Sequence, residues 1–203
     1  MATGIGLLAG GCASDSGTSS EDQPSASVQT QPTGGADDTA SQSSSASSTD
    51  DDSATSAAGG ALSAGACNGT YAGPTVSGDL TIGQGEVCVL DGGSIDGNIK
   101  VQTGGSLTAT QVNVGGDIQG EGHASVSVTG ATVDGNIQLE DGQLASVTGT
   151  TIDGDLQAES NSGVQDFTGN TINGNLQCES NDQAPTGSGN QVQGNKEGQC
   201  AGL

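Results

Sequence analysis

A repeat sets the terms on which this chain can fold. Aligned on one another, segments begin at Ser77, Asp96, Gly115, Asp134, Asp153, Asn173 and Gln193, in four steps of 19 residues followed by two of 20. The second place of every segment is glycine: Gly78, Gly97, Gly116, Gly135, Gly154, Gly174 and Gly194. The fourth place is aliphatic through Leu80, Ile99, Ile118, Ile137, Leu156 and Leu176, until Lys196 breaks it. The closing place is aliphatic throughout: Ile95, Val114, Val133, Ile152, Ile172 and Val192. A period this strict marks a stacked-repeat architecture, in which each unit buries its apolar side only against the next.

The unit is not helical. Its glycine density and its alternating β-branched runs, such as Ser125 to Thr129, favour short strands joined by turns. The Asp-Gly and Asn-Gly pairs at the segment starts are expected to supply residues that tolerate positive φ, and a second turn is expected at Thr129-Gly130, Thr148-Gly149 and Thr168-Gly169. The predicted fold is an all-β, single-stranded parallel β-solenoid of about seven coils, right-handed by preference, with equivalent residues about 4.8 Å apart in ladders. Its interior is filled by the two aliphatic columns above, by Ile82, Val101, Leu139 and Ala158, and by Leu90, Ala109, Val128, Val147 and Phe167.

Cysteine spacing fits that geometry. Cys67 and Cys88 are 21 residues apart and Cys178 and Cys200 are 22 apart, each close to one turn of the solenoid. Each pair is therefore expected to bridge neighbouring coils, one at either end of the domain. Lys196 entering the aliphatic column, within the polar run Gln193–Gln199, is expected to form a polar cap that discourages end-to-end stacking.

Ahead of the repeats lies a different kind of sequence. From Ala13 to about Ala66 the only large aliphatics are Val28 and Leu62, too few to offset the entropy of ordering, so 12–66 is expected to be a disordered spacer. The opening Met1–Cys12, a short apolar run that ends in small residues and a cysteine, resembles the end of a bacterial lipoprotein signal peptide, with Ala9 where that signature usually has Leu. The resemblance implies a signal remnant over 1–11, lipidation of Cys12, attachment to the membrane by that lipid and an extracytoplasmic location. With Cys12 so used, the remaining four cysteines pair evenly, as expected of an exported, oxidised chain. The whole chain is similar to the small, repeat-rich, lipid-anchored surface proteins of Gram-positive bacteria, whose ends read like Asn173–Cys178 and Asn195–Cys200. The repeats are more distantly similar to bactofilins, which are polymer-forming β-helices. That likeness implies a fold and no catalytic residue.

Side chains alternate along a strand, so if the fourth and sixth places face inward, the third, fifth and seventh face outward. The third reads Asp79, Asn98, Asp117, Asn136, Asp155, Asn175, Asn195; the fifth holds Gln119, Gln138, Gln157, Gln177; the seventh holds Glu121, Glu140, Glu159, Glu179. Alternating Asp with Asn dilutes repulsion in the third column. Four glutamates at about 4.8 Å repel by roughly 0.8 kcal/mol per neighbour in water, so they splay or attract cations. The face formed by Asp117, Glu121, Glu140, Asp155, Glu159 and Glu179 is the candidate site, for weak Ca²⁺, a cationic ligand or a cell-wall polymer; the spacing is not that of an EF-hand, and no firm metal site or cofactor is expected. The plain alternative is a solvated face that keeps the rod soluble.

Other classes are disfavoured by what the chain lacks. It has two Lys, no Arg, no Trp and a formal charge of −22, so nucleic acid is not an expected partner. A catalytic histidine would have to be His123, expected instead to be an exposed loop residue. A polysaccharide-active enzyme using Glu140 or Glu159 lacks aromatic platforms, and a lyase would find only Lys100 and Lys196 as cations. The threonines Thr129/Thr132, Thr148/Thr151 and Thr168/Thr171 resemble the flat ranks of ice-binding solenoids, but the Gly inside each group puts it at a bend. The chain is thus expected to be a monomeric, structural or adhesive rod rather than an enzyme, with a homopolymerising scaffold as the alternative.

Overall fold

A computed structural model describes residues 62–203, and every regular element in them is a β-strand. The expectations for Cys12, for 1–11 and for most of the spacer lie outside these residues. Successive coils contribute strands to three parallel sheets. The first sheet has eight strands, running from Gly65–Ala66 to Lys196–Gly198; the second has six, from Gly69–Ala72 to Gln165–Thr168; the third has seven two-residue strands, from Thr75–Val76 to Gln191–Val192. Neighbours in a sheet are always strands one coil apart, which is the β-solenoid the period demands. The strand Gly65–Ala66 and the buried Leu62 show the described fold starting ahead of Cys67.

Register places the repeat in space. Ile137–Glu140 pairs with Ile118–Glu121 on one side and Leu156–Glu159 on the other, residue for residue. Leu80, Ile99, Ile118, Ile137, Leu156 and Leu176 are all fully buried in one file. The column Leu90, Ala109, Val128, Val147 and Phe167 in the second sheet is aligned and equally buried. Lys196 does take the place after Leu176. Its Nζ donates to the carbonyl oxygens of Asn190, at 3.2 Å, and of Leu203, so the ammonium satisfies backbone acceptors at the end of the core. Disulfides Cys67–Cys88 and Cys178–Cys200 join coils at the two ends, with Cα separations of 5.5 and 5.2 Å.

Two expectations need correction. The second-place glycines Gly97, Gly116, Gly135, Gly154, Gly174 and Gly194 are absent from the residues with positive φ. They are glycine because coils approach closely there. A Cβ on Gly116 would lie 2.5 Å from Asn98 Oδ1 and 2.9 Å from the carbonyl oxygen of Gly97. Positive φ belongs to the second turn, as expected, at Gly130, Gly149 and Gly169, with φ of 61°, 60° and 68°. This turn also separates Thr129, in the second sheet, from Thr132, in the third, so those threonines do not form one flat rank.

The other correction concerns His123, which is not an exposed loop residue but fully buried. Gly120 leaves a gap in the sixth-place column, between Val101 and Leu139, and the imidazole fills it.

Candidate functional site

The candidate face is the outer surface of the first sheet, and the structure divides it into three files with different roles. The third-place residues from Asp79 to Asn175 are half-buried at the entry to each strand, and Asn195 at the end is exposed. Each side-chain oxygen accepts the backbone N–H of its counterpart one coil later: Asn98 N–H donates to Asp79 Oδ1 at 2.8 Å, Asp117 N–H to Asn98 Oδ1 at 2.8 Å, Asn136 N–H to Asp117 Oδ1 at 2.7 Å. The series continues through Asp155, Asn175 and Asn195 at 2.8, 2.6 and 2.9 Å. It explains both the Asp/Asn restriction and the neighbouring glycine, since a short acceptor must sit where a Cβ at the second place would intrude. Asp117 and Asp155 are therefore coil-to-coil locks, each with one oxygen committed to the backbone.

The fifth-place glutamines form an amide ladder. Gln119 Nε2 donates to Gln138 Oε1 at 3.4 Å, Gln138 to Gln157 at 3.3 Å, and Gln157 to Gln177 at 3.2 Å. Gln177 then donates to Glu197 Oε2 at 3.5 Å. One donor and one acceptor of Gln138, Gln157 and Gln177 are spent on the neighbours, while Gln119 Nε2 also donates to Asp117 Oδ2 at 3.4 Å, and these bonds hold the side chains upright.

Glu121, Glu140, Glu159 and Glu179 make the third file, paired in successive registers and all exposed. Among the described residues the one ion pair is Lys100 with Asp79, at 3.2 Å, so no Glu of this file is neutralised by a protein cation. The backbone N–H of Asn98, and after it Lys100, holds the Asp79 carboxyl below the ordinary carboxylate range. Lys100 thereby marks the one cationic break in an otherwise acidic and amide surface.

Beside Lys100 the face is concave. A cleft of about 770 Å³ is lined by Gln84, Lys100, Gln102, Thr103, Gln119 and Gln138, with Glu121 and Glu140 on its wall. Its chemistry is that of hydrogen-bond donors and acceptors with carboxylates at the margin, and it holds no aromatic side chain. Among the described residues no three His, Cys, Asp or Glu converge into a preformed metal cage. A cation on the Glu file would therefore be held between splayed carboxylates that keep much of its hydration.

Sequence reasoning missed two buried polar ladders at the coil corners. Asn161 and Asn181 form one: Gly142 N–H donates to Asn161 Oδ1 at 2.9 Å, Asn161 N–H to Asn181 Oδ1 at 3.0 Å, and each side-chain amide returns a bond to a backbone carbonyl. Asn170 and Asn190 form the other in the same way. Their signal was available, because both pairs are spaced by the 20-residue step of the last coils. The two disulfides point to an oxidising, extracytoplasmic compartment. Compared with protein-family models, with curated proteins and with solved structures, the chain matches none.

Proposed function

We propose that this protein is an extracytoplasmic rod, tethered through a lipid on Cys12 and the Ser/Asp-rich segment after it, that presents the outer face of its first sheet to cations or to cationic stretches of a cell-envelope polymer. The observation that carries the proposal is the in-register file Glu121, Glu140, Glu159 and Glu179, exposed and without a neutralising partner. Each added cation relieves like-charge repulsion of roughly 0.8 kcal/mol per neighbouring pair in water, which favours weak, salt-sensitive and additive binding over one tight site. The Gln ladder beside it contributes unspent amide donors and acceptors, suited to a hydroxylated polymer that runs along the rod.

Calcium chloride titrated into the full chain, followed by calorimetry and by amide NMR, tests this. Saturable shifts confined to the Glu file at millimolar Ca²⁺, reduced at least twofold in affinity by Glu140→Gln with Glu159→Gln, are the expected result. An absence of heat and of shifts at millimolar Ca²⁺, repeated with poly-lysine as the probe, would leave the face as no more than a solubilising surface.

A further inference from the structure

His123 is fully buried, and neither of its ring nitrogens has a hydrogen-bond partner. A neutral imidazole carries one donor and one acceptor, and leaving both unmet in the interior forfeits the hydrogen bonds they make in water. Every other polar side chain in this column is satisfied: the corresponding corner places in later coils are Asn161 and Asn181, which bond to backbone on both sides.

The ring is held by missing side chains. Gly120 stands in the sixth place, where its neighbours above and below carry Val101 and Leu139, and a Cβ there would come within 2.8 Å of His123 Nδ1 and 3.3 Å of Leu139 Cδ2. A Cβ on Gly142, one coil later, would overlap the ring at Nδ1, Cε1 and Nε2. The imidazole thus plugs a gap between the third and fourth coils that only two glycines keep open.

We propose that His123 is a proton-triggered latch: on taking up a proton, the imidazole leaves this gap and the corner joining the first and second sheets opens between the third and fourth coils. A protonated ring would carry two N–H donors and a full charge, and no acidic side chain is buried beside it to balance that charge. The charged residues on the segments packed around it are Lys100, Glu121, Glu140 and Asp141, all exposed on the outer side. The strands of the second sheet at this level, Ser106–Thr110, Ser125–Thr129 and Leu144–Thr148, contain no titratable residue. Once outside, the imidazolium meets Glu121 and Glu140, so the acidic file that the closed form leaves unpaired supplies its partner.

The sign follows from burial, which holds the His123 pKa below its ordinary 6.5; the Gly120 backbone, near Nδ1 but outside hydrogen-bonding geometry, opposes this more weakly. The closed corner binds no proton while the open one does at about 6.5, so the closed form is unaffected above that pH. Below it, the open-to-closed ratio climbs by a factor approaching ten per pH unit until the closed form itself titrates.

The full chain, followed by amide hydrogen exchange at pH 7.5 and 5.0 with intrinsic rates corrected, tests the latch. Protection of amides around 122–125 and 139–145 is expected to fall roughly 30-fold at pH 5.0, with little change around 151–172, and His123→Asn is expected to abolish the difference. Because the chain has a single His, imidazole NMR gives a second measurement that needs no variant. Separate signals for a neutral buried ring and a protonated free ring support the latch. Smooth titration near pH 6.5 without faster exchange, or an acid response that survives in His123→Asn, overturns it.

Discussion

Replacing Gly135 with alanine isolates the close approach of coils from the usual backbone freedom of glycine. Gly135 does not have positive φ, so alanine meets no intrinsic conformational penalty there. Its Cβ would, however, lie 2.8 Å from both the carbonyl carbon and the carbonyl oxygen of Gly116, and still closer to Asp117 Oδ1. Relief requires the strand entry to withdraw by more than half an ångström, which stretches the Gly135 N–H to Gly116 O bond, now 3.2 Å, and the Asn136 N–H to Asp117 Oδ1 bond, now 2.7 Å. Losing a hydrogen bond to a charged acceptor costs about 1.5–3 kcal/mol and overpacking adds about 1–3 kcal/mol, so a loss of roughly 3–5 kcal/mol is expected. The matched control is Gly149→Ala. Gly149 has φ of 60° and open space around its Cβ direction, so that change should cost only the left-handed penalty of about 1–2 kcal/mol. At about 2–4 °C per kcal/mol for a domain of this size, thermal melts of the oxidised protein should separate the two variants by several degrees. A Gly135→Ala melting temperature equal to or above that of Gly149→Ala would refute the close-approach account.

Three further outcomes follow from the same structure. Gln111 occupies, at φ of 54°, the turn place that is Gly130, Gly149 and Gly169 in later coils, so Gln111→Gly should stabilise by about 0.5–1 kcal/mol in denaturant titration despite the added chain entropy. Reducing both disulfides should cost about 3 kcal/mol for each loop, with the midpoint in guanidinium shifted accordingly; an unchanged midpoint would show that the coils at the ends are stable without their bridges. For Asp79, whose carboxyl is held below 3.8 by the Asn98 N–H and then by Lys100, the folded form prefers the carboxylate; its stabilisation is present above pH 3.8 and is lost as pH falls through the folded value. Asp79→Asn should accordingly unfold at a higher pH-independent baseline of instability near neutrality and converge with the parent chain in strong acid, as read from circular dichroism.

Much of the architecture can be read from particular residues. Leu80, Ile99, Ile118, Ile137, Leu156 and Leu176 stand one period apart, and a chain that must bury them all on one side while remaining rich in glycine and β-branched residues has few options besides stacking coils. The cysteine spacings then fix which residues meet at the ends. The alternation rule likewise assigned the Glu and Gln files to the outer face, because strand geometry transmits inward and outward reliably over three or four residues.

Corners are where that rule stops. Asp117 and Asp155 read as part of a charged face, yet their oxygens receive backbone N–H groups from the next coil. His123, in the short turn Gly120–Ala124, reads as solvent-exposed and is enclosed instead.

The amino-acid order by itself determined the period, the columns that become the core, the disulfide partners and the side of the first sheet that carries free carboxylates, since all of these depend on spacing along one strand or one circuit. Only the tertiary structure decided why the second place is glycine, which acidic residues are locks and which are free, and what fills the space at Gly120. The first two outcomes depend on atoms about 19 residues away that arrive within 3 Å once the coils are stacked, and the third on a ring three residues along that turns back into the core; a local pattern of apolar and polar residues holds no information on separations that small.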